Sequence, residues 1–110
     1  MRILFDNGTP RPIERCLTGH EISRARRIGW HELENGELIE KAEQAGYDVL
    51  LSTDQNIRYQ QNLTRRKLAI VVLTEQQWPN VQRHLEKIAA AVNAATPGSY
   101  IEVDIPFPTE

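Results

Sequence analysis

Short apolar runs separated by polar, turn-rich stretches give this chain its rhythm. Ile3-Leu4-Phe5 stops at Asp6, and Val49-Leu50-Leu51 stops at Ser52-Thr53-Asp54. Leu68 to Leu73 is apolar throughout and partly β-branched. Runs this short, without polar alternation, read as strands buried on both faces of a parallel sheet. The pattern predicts strands over 2–6, 47–53 and 68–73. A short second strand is expected over 20–23, and an alternating edge strand over 100–103.

Helical spacing fills the intervals. Pro12 suits the first turn of a short helix carrying Ile13 to Leu17. Residues 24–30 read as one or two helical turns closed by Gly29. Asn35 is the expected N-cap of the next helix, with Glu37 in its first turn and Leu38, Ile39, Ala42 and Ala45 on one apolar face. Gly46 falls where a left-handed residue ends a helix. Residues 55–62 read as a helical turn or loop. Trp78, Val81, Leu85, Ile88 and Val92 predict the longest helix, with Pro79 near its start and Pro97-Gly98 beyond its end. Strands alternating with helices imply an α/β fold, a mainly parallel sheet covered on both faces.

The length of 110 residues fits one domain, taken as residues 1–104, followed by an extended tail at 105–110. Thirteen basic and fifteen acidic side chains leave a net charge of −2, so any nucleic-acid surface has to be a local patch. Cys16 is the single cysteine, which excludes a disulfide framework and fits a reducing cytoplasm. No apolar run reaches membrane-spanning length, and a soluble cytoplasmic protein is expected, its oligomeric state open and a dimer plausible.

Two strands that end in aspartate can set Asp6 and Asp54 side by side at the carboxyl edge of the sheet, where open α/β sheets bind ligands. Two neighbouring carboxylates repel unless a cation lies between them. Hard oxygen donors select Mg²⁺ or Mn²⁺. The plainer alternatives are that Asp6 closes the turn at Asn7-Gly8 and that Asp54 caps the following helix. Asn7, Thr53, Asn56 and Arg58 flank the two acids as candidate substrate contacts. Arg24, Arg26 and Arg27 form one basic cluster, and Arg65, Arg66 and Lys67 another; both could meet phosphates or simply be solvated. Tyr59 could stack on a base, and Gln60, Gln61 and Asn62 could line a cleft. His20, His31 and His84 are not spaced as a metal set.

Leu4-Phe5-Asp6, Asn35-Gly36-Glu37-Leu38-Ile39-Glu40-Lys41-Ala42 and Leu51-Ser52-Thr53-Asp54 together resemble the small bacterial PIN-like proteins. The resemblance runs through about the whole chain. It implies a three-layer α/β/α sandwich and a Mg²⁺- or Mn²⁺-dependent ribonuclease, in many bacterial cases a toxin held by an antitoxin partner. Asp6 and Asp54 match the acids that end the first and central strands. Asn35 stands where the family has an aspartate, and Arg27 near where it has a glutamate. The resemblance therefore makes Asp6, Asp54 and Glu37 the candidate catalytic acids and Asp6, Asp54 and Asn35 the candidate metal ligands. It also leaves open a catalytically degenerate module that binds RNA or a protein partner.

Overall fold

The computed structural model describes residues 1–60 and 66–106, the side chains of Tyr59 and Gln60 excepted. The expectations placed on Tyr59, Gln60, Gln61, Asn62, Arg65 and tail positions 107–110 lie outside the described residues. Five strands form one sheet: β1 (Arg2–Phe5), β2 (Glu21–Arg24), β3 (Val49–Ser52), β4 (Ala69–Leu73) and β5 (Tyr100–Val103). All pairings are parallel, in the order β2-β1-β3-β4-β5. Leu4 lies opposite Leu50 and Phe5 opposite Leu51, while Leu51 faces Val71 across the next pair.

The period of two along each strand builds a core on each face. Ile3, Phe5, Val49, Leu51, Val71 and Leu73 face one side. There they meet Ile13 from the 3-10 segment Arg11–Cys16, Leu17 just beyond it, and Val81, Ile88 and Val92. Leu4, Leu50, Ile70 and Val72 face the other side and meet Leu38, Ile39, Ala42 and Ile57. Helices α1 (Asn35–Gln44) and α2 (Ile57–Gln60) cover that face; α3 (Trp78–Val81) and α4 (Leu85–Ala94) cover the first. The molecule is a three-layer α/β/α sandwich. No helix among the described residues is long and apolar enough to cross a membrane.

Several boundaries differ from the sequence expectation. Residues 11–16 wind as a 3-10 helix, the usual form for so short a segment. The expected long helix is broken. His84, at φ −126° and ψ 27°, separates the short turns before it from α4. Apolar spacing continues across this break on one face, so the sequence reads as a single helix. Asn35 is the first residue of α1 rather than its N-cap; Glu34 holds that place and makes no side-chain cap bond. Gly46 follows α1 at φ +85°, as expected of a left-handed terminator. Packing runs past residue 104. Ile105 is buried, and its N–H donates to Thr74 Oγ1 at 2.8 Å.

The strand order places a topological switch beside β1. The chain leaves β1 for β2 on one side, then crosses to β3 on the other. In open parallel sheets the crevice beyond the carboxyl ends at such a point is the preferred ligand site. Asp6 and Asp54 follow the two strands that flank it.

Candidate functional site

β1 ends at Phe5, but the ladder continues one residue further through Asp6 N–H to Leu51 O at 2.9 Å. The chain then turns sharply, and Thr9 N–H donates to Asp6 O at 3.0 Å. Gly8 is required inside that turn. A Cβ there would come within 2.5 Å of Thr53 Oγ1. The Asp6 carboxylate is half-buried at this edge. Its Oδ1 accepts from Asn7 N–H at 2.8 Å, and its Oδ2 accepts from the Ser52 hydroxyl at 2.7 Å.

Ser52 is the last residue of β3 and has no solvent exposure. Its Oγ also accepts from Asp54 N–H at 3.1 Å. Asp54 in turn starts α2: Oδ1 accepts from Asn56 N–H at 2.9 Å, and its carbonyl oxygen from Ile57 N–H at 3.3 Å. Asp54 Oδ2 accepts from Asn35 Nδ2 at 2.6 Å. That bond ties the first residue of α1 to the acid that follows β3. Asp6, Ser52, Asp54 and Asn35 thus form one hydrogen-bonded line across the switch point. Turn-closing and capping are both real for the two aspartates, and each spends one carboxylate oxygen on them.

A divalent cation can be tested against this line. Each of the four carboxylate oxygens accepts one of these protein hydrogen bonds, and a carboxylate oxygen has a further lone pair to offer. Mg²⁺ is commonly held by one or two carboxylates, with water and substrate phosphate completing its shell. Two half-buried aspartates with donors fixing their orientation offer oxygen ligands of the kind one such ion takes, and too little charge for two. Among the described residues no three His, Cys, Asp or Glu side chains converge as a metal-holding group. Glu37 is exposed in the first turn of α1 and does not complete a set of three carboxylates. Asn35 is beside Asp54 but presents its amide nitrogen there, a donor rather than a ligand atom.

The candidate substrate contacts divide. Asn7 lines a pocket beside Asp6, with its amide committed to His31 O at 2.7 Å. Thr53 packs on Gly8. Asn56 contributes its backbone N–H to Asp54. Arg58 is directed elsewhere, to Glu102 on edge strand β5 at 3.4 Å, so it is not beside Asp6. Arg24 and Arg26 reach the Asp6 pocket, whereas Arg27 is exposed and not in its lining.

Sequence reasoning missed Ser52, because a serine at the end of an apolar strand carries no motif. It also missed Arg11, since the convergence of residues 11, 24 and 26 depends on β1 and β2 being neighbours. Glu75 was missed as well. The residue as a whole is largely buried, and its carboxylate accepts from Gln76 N–H at 2.8 Å, Gln77 N–H at 3.1 Å and Asn80 Nδ2 at 3.0 Å. The backbone donors Gln77 and Gln76 foremost hold this carboxyl below its usual value. It organises the start of α3 rather than joining Asp6.

No family model, no curated protein and no solved structure matches this chain.

Proposed function

We propose that this protein is a cytoplasmic PIN-like ribonuclease that uses one Mg²⁺ or Mn²⁺ held by Asp6 and Asp54. The observation that carries the reading is the Asp6–Ser52–Asp54 line at the switch point of an all-parallel sheet. A bound ion would supply an activated water and charge shielding for the scissile phosphodiester. The residues of the chain do the rest. Asp6 and Asp54 present oxygen ligands, Ser52 fixes the Asp6 carboxylate, and backbone N–H groups of Asn7 and Asn56 hold the carboxylate planes. Asn35 orients Asp54 from α1.

The test is cleavage of a mixed single-stranded RNA panel with Mn²⁺ and with EDTA. The expected result is Mn²⁺-dependent cleavage by the wild type, absent in EDTA and absent in folded Asp6→Asn and Asp54→Asn. An inert wild type would sink the reading.

One observation favours a second reading. The Asn35 amide donates to Asp54 at the position where the resemblance calls for an acid. Hydrogen-bond donors then offset part of the carboxylate repulsion without any cation, as in a degenerate module that binds RNA or a protein partner. Retained RNA binding without cleavage, unaffected by EDTA, would establish it. The toxin role follows from the resemblance alone. A small protein that copurifies with this chain and suppresses its cleavage would supply the antitoxin.

A further inference from the structure

Beside Asp6 lies a pocket of about 210 Å³ lined by Phe5, Asp6, Asn7 and Thr9 and rimmed by Arg11, Arg24 and Arg26. The three arginines come from separate places: the start of the 3-10 segment, the end of β2 and the turn after it. All three line this one pocket in a protein whose net charge is −2. Arg24 is partly offset by Glu14, with Nε 3.9 Å from the carboxylate. The exposed side chains of Arg11 and Arg26 make no ion pair or hydrogen bond among the described residues. Three arginines against the single carboxylate of Asp6 leave this lining with a surplus of positive charge that favours an anion. The guanidinium fork matches a phosphate better than any other common anion except a carboxylate. The pocket shares Asp6 with the acid line, so a phosphate there lies next to the proposed reacting centre.

We infer that Arg11, Arg24 and Arg26 form a phosphate-ester pocket that grips a nucleotide phosphate beside Asp6. The inference deepens the ribonuclease reading, in which this is a phosphate of the RNA chain next to the one attacked. Binding itself needs no metal.

The experiment measures affinity calorimetrically at low salt, in EDTA, for inorganic phosphate, uridine 5′-monophosphate and the dinucleotide UpU. The full chain is compared with Arg11→Ala, Arg26→Ala and the control Arg83→Ala, an exposed arginine outside the pocket lining. Each pocket variant is expected to weaken binding roughly tenfold or more, with Arg83→Ala near wild type. Binding of UpU assigns the pocket to an internal diester; binding of the monophosphate but not UpU assigns it to a chain end. Equal loss in Arg83→Ala, or no binding of any probe by the wild type, overturns the inference. Because EDTA is present throughout, failure of metal-dependent cleavage leaves this result standing. Intact cleavage with no arginine effect would sink the pocket alone.

Discussion

The Ser52 hydroxyl donates to Asp6 Oδ2 at 2.7 Å from a side chain that has no solvent exposure. A hydrogen bond to a charged acceptor in such a position is worth more than one at the surface. Ser52→Ala removes it, and also removes the acceptor of Asp54 N–H. A loss of about 1.5–3 kcal/mol is expected by urea denaturation at pH 7. In an Asp6→Asn background the cost of Ser52→Ala should fall, since the charged acceptor is gone. An unchanged cost in that background would show that the hydroxyl supports the strand end and not the acid.

Gly8 and Thr53 meet across the same edge. The Cβ of an alanine at position 8 would lie 2.5 Å from Thr53 Oγ1 and 3.1 Å from Gln76 Oε1. Gln76 is a flexible side chain and can withdraw; Thr53 is β-branched and stiff. Gly8→Ala is therefore expected to cost about 1–3 kcal/mol, as overpacking does. Most of that cost should vanish when Thr53→Ala is added, because the hydroxyl is the obstacle and Thr53 Cβ is at an ordinary 3.8 Å. A thermodynamic cycle of the four proteins measures the coupling.

Glu75 gives the fold a dependence on acid. Its carboxyl is held below the ordinary value, mainly by the Gln77 and Gln76 N–H groups. The folded state therefore takes up this proton less readily than the unfolded chain. The stabilisation is complete above the unfolded value of about 4.3, and it fades as pH falls through the lower folded value. The Tm difference between wild type and Glu75→Gln should stay constant from pH 7 to about 5 and shrink below about 4. A difference that stays flat into strong acid would mean the carboxylate charge is not what Gln76 and Gln77 hold.

The layered fold was readable from Ile3-Leu4-Phe5, Val49-Leu50-Leu51 and Leu68 to Leu73 because burial on both faces leaves an uninterrupted apolar signature. Gly46 was readable because few other residues adopt its φ of +85°. The site was readable only in part. Asp6 and Asp54 stand out as acids ending buried runs. The Asn35–Asp54 bond does not, since it joins residues 19 apart in sequence that only the fold brings together. Arg58 follows Asp54 closely in sequence, but its side chain pairs sideways with Glu102 on edge strand β5, a partner that only the strand order reveals. Arg11 joins Arg24 and Arg26 only through the pairing of β1 with β2.

Asn35 also offers the sharpest test of whether the acid line is built for a cation. Its Nδ2 is 2.6 Å from Asp54 Oδ2. Asn35→Asp replaces that donor with a second carboxylate at nearly the same place and size. Without metal the two acids repel, and a loss of about 1–3 kcal/mol is expected at pH 7 in EDTA. Mn²⁺ binds the folded state alone in this reading, so it should raise the Tm of Asn35→Asp more than that of the wild type. Cleavage of RNA should rise in parallel, because the variant carries the third acid that the resemblance calls for. A variant that stays destabilised at saturating Mn²⁺ would mean that Asp6 and Asp54 do not share an ion, and the Asn35 amide would then be a permanent substitute for one.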